Sequence, residues 1–181
     1  RNLVEINVDK NNNKYSSLDG VLFNKEQDIL IKCPNKETYI VPNSVVSIDK
    51  YAFNCCVNLK NLSITNGVTN INEYAFQYCE NLVNVLIPNS VTTIGSGAFE
   101  YCENLESINI PYGIKSIEYG TFQDCSNLVN ITIPKTVTSI GYHAFEGCMR
   151  LENISITDSV VDIGSYVADR IGALWHSGAR S

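Results

Sequence analysis

Seven cysteines, two histidines and clustered carboxylates are the side chains of this chain with the chemistry to hold a metal or attack a substrate. Their spacing decides how they are read. Cys56, Cys79, Cys102, Cys125 and Cys148 recur at one constant interval. Zinc needs ligands that converge tetrahedrally, typically close Cys pairs with His. Cysteines on so long a period form a line instead, and no histidine accompanies them. Disulfides between stacked neighbours would require parallel side chains to rotate into the S–S torsion; Cys55 or Cys56 with an irregular neighbour is the least unfavourable pair. The column reads as small buried thiols filling a core, which says nothing of redox compartment. Nucleophilic catalysis needs an oriented base. His143 takes the position held by Tyr51, Tyr74, Gly97 and Gly120 in other repeats and reads as a variable surface residue, and His176 lies in an irregular tail. Glu80, Glu100, Glu103 and Glu106 read as a solvated acidic face rather than acid–base pairs, and Gly95-Ser96-Gly97 as a turn rather than a phosphate loop. No catalytic residue, metal site or cofactor is expected.

The elements that position these side chains form a repeat. Phe53, Phe76, Phe99, Phe122 and Phe145 keep the interval of the cysteines, as do Leu59, Leu82, Leu105, Leu128 and Leu151, and Ile48, Ile71, Ile94, Ile117, Ile140 and Ile163. A period of this length marks a solenoid. Each unit opens with Leu-x-x-Ile-x-Ile, a short strand with inward Ile and outward polar residues. Pro42, Pro88, Pro111 and Pro134 end it, since proline has no N–H for a ladder. Val-x-x-Ile reads as a second extended segment and Ala-Phe-x-x-Cys as a single helical turn or tight bend. One such unit buries too little to stand alone, so neighbouring coils must share a core. The expected architecture is a mainly β repeat solenoid with parallel strands stacked along its axis and short helical or 3-10 turns. Stacking should set each Phe over the next and align Asn58, Asn81, Asn104 and Asn127 in an internal hydrogen-bonded ladder that Arg150 interrupts.

The repeats span 39–163. Residues 1–38 are out of phase and read as a degenerate opening coil. There Leu3-x-x-Ile6-x-Val8 looks like a repeat strand, and Val21–Phe23 and Ile29–Ile31 form a β-hairpin entered at Asp19-Gly20. In 164–181, Val167, Ile171, Leu174 and Trp175 share one face of a short helix, read as a capping helix or as a disordered tail. The chain opens at Arg1 with neither Met nor signal peptide and reads as a piece of a larger protein.

Bulk composition excludes several classes. The chain has 181 residues, 44% of them hydrophobic and 18% charged, with a net charge of −6. Acidity argues against nucleic-acid binding, which rests on a basic stripe, and against a polybasic membrane anchor. No apolar stretch is long enough for a spanning helix.

The unit L-x-x-I-x-I-P-x-x-V-x-x-I-x-x-x-A-F-x-x-C-x-N, as it stands at 82–104 and 105–127, resembles the BspA-like leucine-rich repeat family, also called the Treponema pallidum type. Tyr15–Lys25 is similar to the opening coil of such proteins. Thr65 and Thr157 depart from the pattern's proline, and Gly120-Thr121-Phe122 lacks its alanine. The resemblance covers about residues 1–163. It implies a right-handed leucine-rich repeat from a large surface or secreted protein, and adhesion to host extracellular matrix proteins or other protein–protein contacts. It carries no catalytic residues.

A protein ligand, such as an extracellular matrix glycoprotein, would be met by outward positions. On the strands these include Val83, Asn84, Leu86, Glu106, Asn109, Val129 and Asn130, with Val83, Leu86 and Val129 unusually apolar for a solvated face. Tyr51, Tyr74, Tyr78, Tyr101, Tyr119 and Tyr142 gather at the Ala-Phe turn, either as contact residues or as packing between coils. Sequons at Asn61, Asn130 and Asn153 share one repeat phase and read as a preference of that column for Asn and Ser or Thr. The alternative to a binding module is a passive spacer.

Overall fold

The computed structural model describes residues 3–167. An antiparallel meander opens the chain: β1 (Tyr15–Leu18), β2 (Val21–Asn24) and β3 (Ile29–Lys32). Asp19 and Gly20, at φ 51° and 75°, join the first two strands. Two left-handed residues make the tight turn whose twist matches the strands it joins. Leu3–Val8 does not form the strand its pattern suggests. It is tied to the meander by Ile6 N–H to Gly20 O at 2.8 Å and Val8 N–H to Ser17 Oγ at 3.0 Å.

Coils follow, each contributing two short strands: β4 (Thr38–Ile40) and β5 (Ser47–Ile48), β6 (Asn61–Ser63) and β7 (Asn70–Ile71), β8 (Asn84–Leu86) and β9 (Thr93–Ile94), β10 (Ser107–Ile108) and β11 (Ser116–Ile117), β12 (Asn130–Thr132) and β13 (Ser139–Ile140), β14 (Asn153–Ser155) and β15 (Asp162–Ile163). The even-numbered strands from β4 to β14 make one six-stranded parallel sheet. Its register is the repeat itself, with Asn61 opposite Asn84 and Asn84 opposite Ser107. Along the second flank β3, β5, β7 and β9 are parallel and continuous with the meander, while β11, β13 and β15 form a separate three-stranded sheet. The interruption falls where Thr121 replaces the usual alanine; its buried hydroxyl turns back to Glu118 O at 2.9 Å.

Of the two readings of Ala-Phe-x-x-Cys, the third side takes the tight bend, as a succession of turns, and not the helical turn. Alternate N–H groups close consecutive turns, such as Ala52 to Asp49 O, Asn54 to Tyr51 O and Cys56 to Phe53 O. The N–H groups between them cross to the next coil: Tyr51 to Glu73 O, Phe53 to Ala75 O and Cys55 to Gln77 O, at 3.2, 2.7 and 2.8 Å. Left-handed residues at two columns enforce this. Tyr51, Tyr74, His143 and Tyr166 occupy one; Cys55, Tyr78, Tyr101 and Asp124 occupy the other, all at φ between 55° and 61°. A helix cannot propagate through such a residue.

The N–H groups that cross from this segment, as at Tyr51, Phe53 and Cys55, point toward the C-terminal end, and the carbonyls that receive them point toward the N-terminal end. The opening coil lacks the full turn, because Leu30 pairs with Ile48 across a span shorter than the repeat. Its substitutes are Cys33 N–H to Ala52 O at 2.8 Å and Lys32 Nζ to Asn54 O at 3.1 Å and Tyr51 O at 2.9 Å. The shortened coil also leaves an open cavity of about 370 Å³ bordered by Leu3, Lys32, Pro34, Asn54 and Cys55.

The core is a set of columns. Phe53, Phe76, Phe99, Phe122 and Phe145 are buried and stack at 4.9, 5.1, 5.8 and 5.5 Å between ring centroids. The first two separations are close to the spacing of parallel strands and the last two somewhat wider, all within stacking range, so backbone ladder and ring stack reinforce each other. The repeat register reaches back before residue 39: Asn58 N–H meets Asn35 Oδ1 and Thr38 pairs with Asn61. Of the expected C-terminal cap, residues 168–181 lie outside those described.

Candidate binding faces

The cysteine column holds six residues rather than five, since Cys33 joins it, and all six are buried free thiols. They are also more than apolar filler. Cys79, Cys102, Cys125 and Cys148 donate S–H to the carbonyls of Phe53, Phe76, Phe99 and Phe122 of the preceding coil, at 3.1–3.2 Å. Each carbonyl also accepts the N–H closing its own turn, so both lone pairs are used. Burial pushes the thiols up: Cys56 to about 11, Cys148 to about 12, Cys79 and Cys125 well above the ordinary value. A protonated, enclosed thiol is neither nucleophile nor metal ligand. Among the described residues no group of three or more His, Cys, Asp or Glu converges as a metal site would.

The strand face divides the residues singled out in sequence. Asn84, Leu86, Glu106 and Asn130 are exposed, Leu86 by 76%, whereas Val83 and Val129 are half-buried. Asn109 is engaged by the fold itself. Its Oδ1 accepts Ile87 N–H and its Nδ2 donates to Ile87 O, each at 2.8 Å. The side-chain amide thus replaces a backbone rung, and β10 pairs with its neighbours only through Ser107 and Ile108. Asn61, Asn130 and Asn153 are outward and exposed. The ladder of Asn81, Asn104 and Asn127 forms, but on the surface rather than inside, and Arg150 extends it to Asn127 Oδ1 instead of breaking it.

The turn rim gathers the tyrosines in stacks. Tyr51 and Tyr74 lie 5.2 Å apart at 8°, Tyr78 and Tyr101 4.6 Å apart at 3°. His143 stacks on Tyr166 at 5.4 Å, meets Tyr119 edge-on at 5.5 Å, and brings Nδ1 to 2.6 Å from Glu146 Oε2. The rings pack between coils and remain partly open, Tyr142 by 56%. Between the ring columns runs a polar one: Asn54 donates to Gln77, Gln77 to Glu100 and Gln123 to Glu146. Burial raises the Glu100 carboxyl, with Asp124's charge adding to the shift and Gln77's hydrogen bond opposing it. Sequence reasoning passed over Lys50, Glu73 and Gln77, whose signal was position alone: each shares a repeat column with a residue already singled out or stands next to one.

Six repeat copies matching the BspA type leucine-rich repeat region lie in residues 10–106 and 46–171. The chain belongs to the BspA-type leucine-rich repeat family. No curated protein matches it in sequence. Its fold is that of solved bacterial relatives. A leucine-rich repeat protein from Eubacterium ventriosum superposes with a TM-score of 0.80 at 27% identity, covering 98% of this chain and 55% of that one. A leucine rich cell surface protein from Faecalibacterium prausnitzii gives 0.55 at 28%, covering 84% and 40%. The pneumococcal vaccine antigen PcpA gives 0.50 at 25%, covering 88% and 36%. The chain spans about half the length of these proteins or less. BspA-type repeats and the solenoid they build are non-enzymatic kinds, and they support a repeat module for protein interaction.

Proposed function

We propose that this chain is the protein-binding part of a cell-surface or secreted protein and that it adheres to host or extracellular matrix proteins. The observation that carries the reading is the division of labour between columns. Inward Phe, Cys, Leu and Ile repeat from coil to coil, while one column of exposed strand positions changes, through Ser63, Leu86 and Thr132. A solvated Leu86 contributes nothing to the core and is the kind of residue that marks a contact. A solved relative described as a cell surface protein and another described as a vaccine antigen fit the same location. The spacer reading draws on the tyrosine stacks, which already serve as packing between coils. Biolayer interferometry of the purified chain over immobilised fibronectin, fibrinogen, collagen and laminin separates the two. Saturable binding is expected; its absence up to about 100 μM, weaker than most specific recognition, leaves the spacer.

A further inference from the structure

The turn rim carries the chain's whole charge imbalance. Residues 49–57, 72–80, 95–103, 118–126 and 141–149 hold eight carboxylates and one lysine, Lys50. The rest of the chain holds eleven carboxylates and twelve Lys and Arg, and is close to neutral. The same segments carry the stacked rings. Negative charge beside the faces and edges of half-open tyrosines suits a cation, because the ring quadrupole and the carboxylate attract it together.

The protein fills one such station itself. Lys50 Nζ lies 2.5 Å from Glu73 Oε2 and 5.4 and 5.7 Å from the Tyr51 and Tyr74 ring centroids. Ammonium, carboxylate and paired rings meet at the surface, with the rings parallel at 8°. One coil further on, Tyr78 and Tyr101 make an even closer pair, with Glu100 on the column beside them and Asp124 following Tyr101 in its own column. The sequence supplies no lysine or arginine to that turn.

Resting on the protein-binding reading above, we infer that the turn rim, at Tyr78, Tyr101 and Glu100, is the docking surface and that its partner is a protein segment presenting Arg or Lys side chains. Lys50 is the internal template of the contact. Arginine suits it best, since its planar guanidinium stacks on rings and reaches carboxylates as a fork. The charge of the rim speeds encounter and makes binding sensitive to salt. Nucleic acids and anionic membranes are repelled by the same charge.

The test uses the whole chain and a short fluorescent peptide alternating Gly and Arg, with a Gly/Gln peptide as control, read by fluorescence anisotropy at about 50 and about 300 mM NaCl. The Gly/Arg peptide is expected to bind at low salt and the control not. Tyr78→Asn with Tyr101→Asn keeps residues that tolerate the left-handed backbone, and should weaken binding about tenfold; Glu100→Gln should also weaken it. Lys50→Ser vacates the occupied station and should tighten binding a few-fold, a gain that misfolding cannot mimic. The inference is overturned if the peptide does not bind, if the tyrosine variant binds like the parent with unchanged melting, or if Lys50→Ser brings no gain. Matrix binding that survives the tyrosine variant overturns it too, while leaving the protein-binding reading intact.

Discussion

Replacing Cys102 distinguishes a thiol that only fills space from one that also donates a hydrogen bond. Cys102 is fully buried and its Sγ lies 3.2 Å from Phe76 O, which also accepts Cys79 N–H at 3.1 Å. Cys102→Ala removes about 1 kcal/mol of buried apolar volume and about 1 kcal/mol of hydrogen bond. Phe76 O keeps its backbone partner, so no buried carbonyl is orphaned. The loss of about 2 kcal/mol corresponds to a melting point lower by about 4–8 °C in a chain of this size. Cys102→Ser keeps a donor facing the same carbonyl and should lose only about 1 kcal/mol. Cys102→Val has no donor and crowds the stack, at about 1–3 kcal/mol for the overpacking. Urea unfolding followed by circular dichroism should therefore rank stability as Ser above Ala above Val. If Ser proves less stable than Ala, the hydroxyl has no acceptor there and the thiol column is filler after all.

Three further outcomes follow from the same geometry. Lys32→Met strips the ammonium from Tyr51 O and Asn54 O and should cost about 1–2 kcal/mol in urea unfolding, with Lys32→Arg recovering part of it. Asn109→Ala removes both bonds to Ile87 and should destabilise by about 2–3 kcal/mol, so any loss of binding in that variant has to be corrected for folding. The thiols set an alkaline limit. Their folded pKa values are raised above the ordinary 9.0 by burial, so the unfolded chain loses protons first; stability is complete below pH 9 and falls as pH rises toward about 11 for Cys56 and about 12 for Cys148. Each raised thiol removes about 1 kcal/mol between pH 9 and 10 and about 1.4 kcal/mol per unit beyond, and a pH titration of melting should show an abrupt loss between about pH 9 and 10.5; a chain that melts unchanged at pH 10.5 contradicts the burial.

The period, the Phe stack and the parallel register were legible because they rest on what one coil must do to cover the next, and that demand recurs in every unit. Cys33 was legible in principle, standing one full repeat before Cys56, but the opening coil is cut short between Leu30 and Ile48 and hides the phase on either side. The turn kept two readings, helical turn and tight bend, because Ala-Phe-x-x-Cys has helical spacing while its backbone is set by left-handed residues, tyrosines and glycines among them. The hint lay in the same columns, where Gly97, Gly120 and Gly147 take the places of Tyr51, Tyr74 and Tyr101, as positions of positive φ invite. Asn109 was read as a contact residue because alternation places it outward; alternation says nothing of an amide that bends back to bond its neighbour's backbone. Of the binding candidates, exposure separates Leu86 from Val83 and Val129, which periodicity alone treats alike.

In the proposed function, outward side chains carry recognition while the buried columns only build the scaffold. The most direct test of that division is biolayer interferometry of one variant, Leu86→Ser with Glu106→Ser, Tyr78→Asn and Tyr101→Asn, against whichever matrix protein the parent chain binds. Binding should be at least about tenfold weaker, with the melting point within a few degrees of the parent. Undiminished binding by that variant contradicts that role for the outward side chains.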